Sequence, residues 1–486
     1  MKKRTTLFIA ILLLSSFLSQ AQTPTFQLVA CNLAGTQNNQ IYGVEKDAAG
    51  DFYFCGTHSD ALQIIFSNLP AGGGGAYWGK VDAFGAVLWM KQGGCSNTSN
   101  DKAYDLAIDQ NGDLYVCGSL TSFQTPSFNG VALSGPFAGF IAKYTANGNF
   151  IWAVGQGAAI YSIAIDQNNI PVVNYGDNTI YKVDPATGNL NMSTSASING
   201  NNQNPFLHNL EIDANNNIIC QAGNKIVKLD NNLNQLWSTA ISSSLMETFR
   251  ISLDNSGNVY STFYALFGTV TIGSITKSNF PNGYLVKLDA ATGNPLLVDS
   301  ILIGGNASKI KVVIPDNAGN YYVSGDGAFN TPHLLKLTTA YATVWDKTLS
   351  GNAPVNDVEI ITNDCMFIGG KHSGTSMFDA YTIALPSGSS GIDNSYFAAL
   401  CSGNVGVEEN EIASEIQVFP NPGTGLVHFG NKEVRNLLVT DGMGKIIYTS
   451  ASLTSELDVQ QLFPGLYFLN GMTTEGTPFH LRFIKQ

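Results

Sequence analysis

A recurring phrase constrains the fold of this chain more than any other feature of its sequence. The phrase consists of an aspartate, a short turn, and an alternating apolar strand that ends in small residues. It reads DAAGDFYFCG from Asp47, DQNGDLYVCG from Asp109, DNSGNVYSTF from Asp254 and DNAGNYYVSG from Asp316. Weaker copies begin at Asp166 and Asp213, and a degenerate copy includes the letters CMFIGG. Internal repeats of this length predict a solenoid, a propeller or a repeat array.

A second phrase follows each copy of the first and completes the repeat unit. It reads YWGKVDAFGAVLW from Tyr77, FIAKYTANGNFIW from Phe140 and YLVKLDAATGNPL from Tyr284, with related copies from Ile180, Ile226 and Leu334 and a truncated one from Tyr396. Apolar alternation on both sides of a turn rich in Asp, Asn and Gly predicts a β-hairpin. Each unit therefore holds four strands, named a to d from inside to outside, which is the unit of a β-propeller blade.

The composition agrees with one large all-β domain and excludes several other classes. The chain is 44% hydrophobic and 12% charged with 50 glycines, which suits strands packed on both faces and joined by tight turns. It contains no long stretch with helical periodicity. The net charge of −12, with only 24 Lys and Arg, leaves no basic patch. We therefore expect no nucleic-acid partner.

The number of blades follows from the two ends of the repeat region. Strand a occurs seven times, but the seventh unit has no strand d, because the composition changes after Cys401. The segment Thr25–Asn32 precedes the first strand a and resembles a strand d. If it completes the last blade, two open sheet edges are paired and the ring closes. The sequence thus predicts a seven-bladed β-propeller over residues 22–402.

The first 21 residues have the organisation of a secretory signal peptide. MKKR supplies the positive start, LFIAILLLSSFL the apolar core, and Ser19, Gln20 and Ala21 the cleavage end. The apolar run is too short for a transmembrane helix, and no other stretch approaches the required length. We expect an exported protein that is cleaved before Gln22 and has no transmembrane segment.

All seven cysteines lie after the predicted signal peptide. Their odd number leaves at least one thiol unpaired within the chain. Cys55 and Cys117 occupy the same strand-b position in adjacent blades, which is typical of a small buried packing residue. A disulfide of Cys31 with Cys401 or Cys95 near the ring closure is an open alternative. No C-x-x-C is present, so the sequence gives no support for a structural zinc site.

The last 75 residues differ from the repeats and carry several short motifs in order. They resemble the type A C-terminal sorting domain of the type nine secretion system of Bacteroidetes-like bacteria. The residues that carry this resemblance, and that form the expected sorting signal, are Phe419, Pro420, Asn421, Pro422, Asp441, Gly442, Gly444, Gly465, Leu466 and Tyr467, followed by the closing letters RFIK. The same segment has short alternating strands separated by Gly and Pro turns, which predicts a small Ig-like β-sandwich. An ordinary Ig-like binding module is the alternative.

The resemblance implies a route and a partner. Such domains direct a cargo across the outer membrane, so the type nine secretion machinery is the expected partner and the cell surface or medium the destination, via the periplasm. Residues 412–486 would form the sorting domain, and the acidic residues 403–411 the exposed linker where it is removed. The repeats resemble the bacterial β-propeller repeat family, a resemblance that implies architecture and little about a ligand.

One pair of histidines is the strongest candidate for a ligand-binding site. Strand a runs down, b up, c down and d up, so the b–c loops and d–a connections share one face, here called the loop face. The a–b and c–d turns share the opposite turn face. His58 and His372 follow strand b at matching places in blades one and seven, which become neighbours when the ring closes. With Asp60 nearby, they are candidates for a polar or metal site on the loop face, and two solvated loop histidines are the alternative.

Other chemistry is hard to find in the sequence. The loop of Asp109, Asn111 and Asp113 resembles part of a calcium loop, but it lacks the downstream Glu and has the residues that a tight turn prefers. Apart from calcium as a weak alternative at this loop, we expect no cofactor and no metal site. No nucleophile elbow, zinc-protease motif or phosphate loop is present, so no catalytic residue is assigned. Strand d tryptophans, namely Trp89, Trp152, Trp237 and Trp345, are expected to serve blade packing.

Two functions of different classes remain open at this stage. The first is a non-enzymatic surface or secreted propeller that binds an extracellular glycan or protein, as in adhesion, with long b–c insertions (for example residues 57–76 and 119–139) building its binding face. The alternative is a polysaccharide hydrolase or lyase on the same scaffold. The enzyme would need convergent carboxylates or histidines, and the low charge content offers few.

Overall fold

The structure of the 486-residue chain is a computed structural model. It describes residues 24–31, 38–58, 62–64, 67–69, 75–82, 85, 87–95, 101–121, 125–176, 179–193, 210–222, 224–242, 246–265, 269–278, 282–301, 303, 309–327, 331–350, 352–362, 365–379, 381–385, 392–401, 416, 418–421, 423–430, 432–441, 446–463, 465–474 and 478–485. The predicted signal peptide (1–21) and linker (403–411) lie outside these residues. The described residues form strands and turns without a helix, as the sequence predicts. Accordingly, they include no helix long and apolar enough to cross a membrane.

The first half of the repeat region forms four antiparallel sheets, each with the strand order a, b, c, d. An N-terminal strand, β1 (Thr25–Cys31), precedes them. Blade one contains β2 (Gln40–Lys46), β3 (Phe52–Thr57), the hairpin β4 (Leu62–Ile64) and β5 (Ser67–Leu69), β6 (Ala76–Val81) and β7 (Val87–Gly94). Blade two contains β8 (Lys102–Ile108), β9 (Leu114–Ser119), β10 (Ser127–Phe128), β11 (Val131–Ala132), β12 (Gly139–Tyr144) and β13 (Phe150–Gln156). Blade three contains β14 (Ile160–Ile165), β15 (Pro171–Tyr175), β16 (Ile180–Val183) and β17 (Leu190–Ser193). Blade four contains β18 (Leu210–Ile212), β19 (Ile218–Ala222), β20 (Lys225–Leu229) and β21 (Gln235–Ser242).

The second half forms three further sheets of the same kind. Blade five contains β22 (Met246–Leu253), β23 (Val259–Ala265), β24 (Thr269–Ile272), β25 (Ile275–Ser278), β26 (Asn282–Leu288) and β27 (Pro295–Ser300). Blade six contains β28 (Lys309–Pro315), β29 (Tyr321–Asp326), β30 (Pro332–Leu337) and β31 (Thr343–Thr348). Blade seven contains β32 (Val355–Thr362), β33 (Cys365–His372), the hairpin β34 (Ser376–Phe378) and β35 (Tyr381–Ile383), and β36 (Asn394–Cys401). Among the described residues, five of these sheets have four strands and two have six, because insertion strands add to them.

The inner strands of these sheets form a closed cycle of neighbours. Strand β2 contacts β8, β8 contacts β14, and the sequence continues through β18, β22 and β28 to β32, which contacts β2 again. Each sheet therefore lies against the next one with its innermost strand beside a central channel. This is the architecture of a β-propeller.

The N-terminal strand closes the ring, as the sequence predicts. Strand β1 pairs antiparallel with β36, so the fourth strand of blade seven comes from the other end of the propeller. Phe26 anchors it: its ring is buried and meets the ring of Phe378 edge-on at 5.0 Å. Its backbone N–H donates to the Asp379 carboxylate at 2.8 Å, and Lys347 Nζ donates to the Pro24 carbonyl at 2.7 Å. These contacts tie the strand to blades six and seven.

The recurring aspartate holds each a–b turn and pairs with a lysine of strand c. In blade two, Asp109 Oδ1 accepts the backbone N–H groups of Asn111 and Asp113 at 2.9 and 3.0 Å. Its other oxygen lies 3.3 Å from Lys143 Nζ, which also lies 4.7 Å from the centre of the Tyr115 ring. We call this arrangement the Asp–Lys clamp. The equivalent pairs are Asp47–Lys80, Asp166–Lys182, Asp213–Lys228, Asp254–Lys287 and Asp316–Lys336.

Tryptophans of strand d join neighbouring blades, which supports their predicted packing role. The indole N–H of Trp89 donates to the Ala146 carbonyl in the c–d turn of blade two at 3.1 Å. Gly148 of the same turn has a φ of 76°, and a Cβ there would meet the indole at 2.7 Å. Trp152 and Trp237 make the same bond to blades three and five. Trp345 faces blade seven, which has no c–d turn, and its Nε1 has no hydrogen-bond partner among the described residues.

Two b–c insertions cover the outer edge of the preceding blade. Strand β10 pairs with β7 of blade one, and β24 pairs with β21 of blade four. Each insertion thus extends a neighbouring sheet to six strands. Covering an edge strand in this way removes a site of edge-to-edge aggregation. These two insertions lie at the blade rims, so they contribute less to the loop face than the sequence suggests.

The one disulfide among the described cysteines differs from the pairs considered above. Cys365 and Cys401 are bonded and face each other on β33 and β36, with their Cα atoms 4.1 Å apart. Cys401 is bonded to Cys365 and Cys31 is a buried thiol outside any disulfide, so neither alternative of Cys31 with Cys401 or Cys95 is correct. Cys31 pairs with Tyr396 in the sheet, five residues from Cys401, which places it at the opposite end of the strand. Cys55 and Cys117 are buried and free, as expected for packing residues.

The C-terminal segment forms a separate small β domain. Its strands are β37 (Leu426–His428), β38 (Val434–Asp441), β39 (Ile446–Ser450), β40 (Glu456–Asp458), β41 (Gly465–Thr473) and β42 (Pro478–Lys485). One sheet has the order β39-β38-β41-β42, and a smaller sheet pairs β37 with β40. Val427, Val439, Leu469 and Phe483 belong to the core between them.

Candidate functional site

The predicted histidines are buried at the ends of strand b on the loop face. His372 is the last residue of β33 and is fully buried, and His58 directly follows β3 with 2% of its surface exposed. His372 Nδ1 lies 2.8 Å from the Gly374 carbonyl. Burial lowers the pKa of His372, which favours the neutral imidazole at neutral pH. Asp60, the third predicted residue, lies outside the described residues.

The two histidines occupy equivalent places in their blades and lie at two different blade interfaces. The His58 ring meets the Tyr77 ring edge-on at 5.8 Å, and Tyr77 packs in the cluster that blade one shares with Phe397 of blade seven. The centre of the His372 ring lies 6.5 Å from that of the Tyr396 ring, and Tyr396 packs in the cluster that blade seven shares with Trp345 of blade six. The His372 Nε2 atom has no hydrogen-bond partner among the described residues, which indicates room for water or a ligand group.

Each histidine is thus a buried side chain of its own blade interface, where its imidazole serves as a hydrogen-bonding group. Within the described part of the chain, no cluster of three His, Cys, Asp or Glu side chains can hold a metal ion. In the calcium-like loop, the negative charge of the carboxylates is balanced by a lysine and not by a metal ion. Lys143 Nζ lies 3.3 Å from the carboxylate of Asp109 and 3.1 Å from that of Asp113, where it supplies the positive charge.

The central channel contains a more exposed group of side chains, which sequence reasoning missed. A β-bulge near the start of strand a leaves one residue out of register in five blades. These residues are Tyr42, Tyr104, Tyr161, Lys311 and Asn356 in blades one, two, three, six and seven. A bulge redirects a side chain out of the regular alternation. Because a lysine and an asparagine also occupy this position, we infer that it faces the channel and not an apolar core.

The three bulge tyrosines form a continuous row around the loop-face mouth of the channel. The ring centres of Tyr42 and Tyr104 are 5.4 Å apart, and those of Tyr104 and Tyr161 are 5.1 Å apart. Tyr42 is 8% exposed, whereas Tyr104 and Tyr161 are partly exposed. Burial raises the pKa of all three phenols, so each keeps its proton at neutral pH. The row combines aromatic surface with hydroxyl groups that donate and accept hydrogen bonds.

Carboxylates and one arginine occupy the middle of the channel. Arg250 of blade five reaches across to blade seven, where it pairs with Asp357 and donates to the Val358 carbonyl at 3.0 Å. Burial and the neighbouring carboxylate of Glu359 raise the pKa of Glu45 well above its usual range. Burial also raises the pKa of Glu359 to about 7, against the opposing effect of Arg250. The channel therefore contains two carboxyls whose burial favours the protonated form, and one of them titrates near neutral pH.

The turn face carries a cavity that combines isoleucines with polar turn residues. A cavity of about 290 Å³ is lined by Ile108, Ile165 and Ile212 together with residues of the adjacent a–b turns. Glutamines bridge these turns: Gln110 Nε2 donates to the Gln167 carbonyl at 3.0 Å, and Gln167 Nε2 donates to the Ala214 carbonyl at 2.9 Å. Polar groups of this face are therefore engaged by neighbouring turns.

The tyrosine row is recognisable in the sequence from the constant distance between each tyrosine and the turn aspartate. Tyr42, Tyr104 and Tyr161 each lie five residues before the aspartate of the first phrase, in the letters IYGVEKD, AYDLAID and IYSIAID. A strand-a side chain with this offset in three successive blades must recur at one height of the channel. No sequence signal of comparable clarity marks the Arg250–Asp357 pair, because it joins blades that are not adjacent.

Residues of the predicted sorting signal fall partly within the described chain. Phe419 exchanges backbone hydrogen bonds with His428 at 2.8 and 3.1 Å, and its side chain is 49% exposed. A cis peptide bond joins it to Pro420. Tyr467 is buried, and its hydroxyl donates to the Phe463 carbonyl at 2.8 Å. Asn421 lies in the described turn that follows, the backbones of Asp441, Gly465 and Leu466 lie in strands β38 and β41, and Pro422, Gly442 and Gly444 lie outside the described residues.

Fold and tail together define an exported β-propeller that carries a C-terminal address. Residues 417–485 match the family model described as the secretion system C-terminal sorting domain. The chain therefore ends in a sorting domain of the type nine secretion system, and the protein is exported to the cell surface or secreted. This match favours the sorting domain over the alternative of an ordinary Ig-like binding module. No curated protein matches the sequence at a significant level.

Solved structures similar to the chain include several propellers at low sequence identity. A catalytically inactive virginiamycin B lyase from Staphylococcus aureus, solved with quinupristin, is 9% identical with a TM-score of 0.49, over 76% of this chain and 99% of that one. The Cps50 (Swd1) β-propeller domain of Myceliophteria thermophila is 9% identical with a TM-score of 0.47, over 78% and 100%. BamB from Moraxella catarrhalis is 11% identical with a TM-score of 0.42, over 73% and 100%. At these identities the likeness says nothing about a shared ligand or reaction.

Proposed function

We propose that the mature protein is a non-enzymatic binding protein that attaches to an extracellular glycan or protein through the loop face of its propeller. The observation that carries this proposal is the difference between the two faces. Turn-face polar groups are engaged in Asp–Lys clamps and in glutamine bridges between turns. The loop-face mouth instead presents the partly exposed rings of Tyr104 and Tyr161, which the repeat does not require.

The loop-face ends of blades one and seven belong to the same proposed surface. His372 is buried at the end of strand b in blade seven, its Nε2 has no hydrogen-bond partner among the described residues, and Lys371 beside it pairs with Asp393. The predicted residues His58, Asp60 and His372 thus remain candidates for contact or support of a ligand. Buried polar groups with spare hydrogen-bonding capacity mark a place where water or a ligand group is accommodated.

Comparison of face-specific variants tests the proposal. The mature protein and its variants are incubated with a glycan array and with intact cells of the source bacterium and its neighbours. We expect Asp60→Ala, Lys371→Glu and His372→Ala on the loop face to weaken binding at least severalfold, and Gln110→Ala and Gln167→Ala on the turn face to leave it unchanged. Thermal denaturation shows whether His372→Ala still folds. The reverse pattern of losses would contradict the proposed binding face.

A second candidate function is a polysaccharide hydrolase or lyase, favoured by the channel carboxyls. Glu359, with a pKa of about 7, is suited to donate a proton, and it is electrostatically linked to Glu45 and Arg250. Carboxyls with separated pKa values are typical of acid–base pairs. A depolymerisation screen with the wild type and Glu359→Gln tests this candidate. Release of shorter chains by the wild type alone would favour the enzyme over the binding protein.

A further inference from the structure

We propose that Lys182 of blade three and Asn231 of blade four become joined by an intramolecular amide bond, with Asp166 as the proton carrier. The bond would replace the hydrogen bond between the two side chains by a covalent link between neighbouring blades. The inference is independent of any ligand of the propeller. It requires a lysine nitrogen held against a side-chain amide, a carboxylate beside that nitrogen, and surroundings from which water is excluded.

The three reacting groups are already in contact. Lys182 Nζ donates a hydrogen bond to Asn231 Oδ1, so it lies beside the amide whose carbon it would attack. The same nitrogen lies 3.0 Å from Asp166 Oδ2. Asp166 Oδ1 accepts the backbone N–H groups of Asn168 and Ile170 at 2.8 and 2.9 Å, which fixes the carboxylate in place. Groups that are held together in this way react far more readily than the same groups in free solution.

Blade three differs from the other Asp–Lys clamps in what surrounds its lysine. In blade two, the lysine Nζ lies 3.1 Å from a second carboxylate, that of Asp113, and 4.7 Å from the centre of the Tyr115 ring. In blade three these two places hold Ile170 and Val172, and Val172 is the strand partner of Lys182. Fewer groups therefore hold the ammonium charge of the lysine in blade three than in blade two.

The link would reinforce an apolar contact between the two blades. Val172, Leu229 and Leu233 belong to one buried cluster that blades three and four share. Lys182 is 8% exposed and Asp166 is 1% exposed. Exclusion of water keeps it from competing with the amine for the amide carbon. The inner strand of blade four, β18, has only three residues, so a covalent bond would strengthen a blade that has a short inner edge.

The next clamp along the ring has the same lysine but cannot react. Lys228 lies 2.8 Å from Asp213, as Lys182 lies beside its own aspartate. Its Nζ donates to the backbone carbonyl of Ala290 at 2.7 Å, at the place where blade four presents Asn231. Alanine has no side-chain amide. Lys228 is therefore a matched control for the proposed reaction.

The proposed reaction exchanges one C–N bond for another. The ammonium group of Lys182 passes a proton to Asp166, and the neutral amine attacks Cγ of Asn231. The bond between Nζ and Cγ forms, and the bond between Cγ and Nδ2 breaks. Asp166 carries the two protons that the lysine nitrogen gives up to the leaving nitrogen, which departs as ammonium. The carboxylate is regenerated, and nothing is oxidised or reduced.

Peptide mapping by mass spectrometry tests the link in the mature protein, which is kept folded at neutral pH before digestion. We expect a branched peptide that joins the segments containing Lys182 and Asn231, is lighter than their sum by one ammonia, and shows no tryptic cleavage after Lys182. The intact mass does not decide, since Gln22, the predicted first residue, loses the same ammonia when it cyclises. Lys182→Arg and Asn231→Ala should each lack the branched peptide, and Lys228→Arg should keep it.

Asp166→Asn tests the proton carrier. It keeps an oxygen for the turn N–H groups but no longer accepts a proton, so the folded variant should stay unlinked. Circular dichroism shows that each variant folds. Separate Lys182 and Asn231 peptides from the folded wild type would overturn the proposal, and so would a branched peptide that persists in Asn231→Ala. A link that forms in Asp166→Asn as fast as in the wild type would overturn the role of the carboxylate.

Discussion

At the scale of residues, the Asp–Lys clamp explains why the aspartate of the first phrase and the lysine of the second phrase occur together in the repeat. The aspartate alone satisfies the preferences of the a–b turn, but its second oxygen would then be buried without a partner. In blade two the Asp109 side chain is fully buried and that of Lys143 is 11% exposed. Burial opposes the charge of Lys143, yet its interactions with Tyr115, Asp113 and Asp109 outweigh burial and raise its pKa. The lysine of the second phrase is therefore structural.

We predict that Lys143→Met destabilises the propeller by roughly 2–4 kcal/mol, because it leaves two carboxylates without their cation. Lys277→Met is the matched control. Its ammonium group lies 3.8 Å from Asp299, and both side chains are largely exposed. An exposed pair of this kind contributes little, so the control should stay within about 0.5 kcal/mol of the wild type. Denaturant titration measures both, and equal effects of the two changes would disprove the clamp.

The channel carboxyls make a second prediction, in which stability depends on pH. Since the pKa of folded Glu359 is raised from 4.5 to about 7, the folded state favours its protonated form. The stabilisation of the folded state that comes from this raised pKa is fully present below the pKa of the unfolded chain. It is lost as the pH rises through about 7. We therefore expect Glu359→Gln to match the wild type near pH 4.5 and to be more stable by on the order of 2 kcal/mol near pH 8.

Denaturation midpoints of both proteins between these pH values measure the difference. Asp299→Asn, at a side chain that is 59% exposed, serves as the control and should show no such divergence. A Glu359→Gln protein that loses stability relative to the wild type as pH rises would contradict the sign.

At the scale of elements, the outer strand β1 determines the stability of the last blade. We predict that Phe26→Ala in β1 costs roughly 3 kcal/mol, since its buried ring packs edge-on against Phe378. Leu88→Ala in β7, also an outer strand, changes a side chain that is 44% exposed and should cost less than about 1 kcal/mol. Deletion of residues 23–32 should lower the melting temperature further. A melting temperature unaffected by that deletion would refute the closure.

The disulfide stabilises the same blade from its inner side. It closes a loop with a sequence separation of 36. By chain entropy, replacing both Cys365 and Cys401 with Ser should cost roughly 3–4 kcal/mol. A reducing agent should destabilise the wild type by a similar amount and leave the double variant unchanged. Reduction that affects both proteins equally would show that the bond contributes nothing.

Elements were far more predictable from the sequence than side-chain partners. The repeat fixes strand order, and the missing strand after Cys401 pointed correctly to Thr25–Cys31 as its replacement. The disulfide was missed because pairing depends on register: Cys365 and Cys401 face each other, whereas Cys31 lies opposite Tyr396. His58 and His372 occupy matching places in adjacent blades, but their rings pack at different blade interfaces. Their burial depends on the packing between blades, which no local sequence pattern encodes.

At the scale of the whole molecule, the tail and the propeller have separate tasks. We predict that a chain without residues 412–486 folds but stays in the periplasm, because the sorting domain is the address read at the outer membrane. Fused to an unrelated exported protein, the same residues should carry it to the surface or medium. Fractionation followed by immunoblotting measures both. Normal amounts of the shortened protein in the medium would contradict the prediction.

The pairing of β1 with β36 also sets an order of events during biosynthesis. The first strand of the propeller pairs with the last one, so the ring cannot close before residues 394–401 have been made and exported. Long-range pairing of this kind is slow to form, which keeps the nascent chain open enough for translocation. The sorting domain follows the closing strand. A molecule that presents its address has therefore already received every strand that its ring needs.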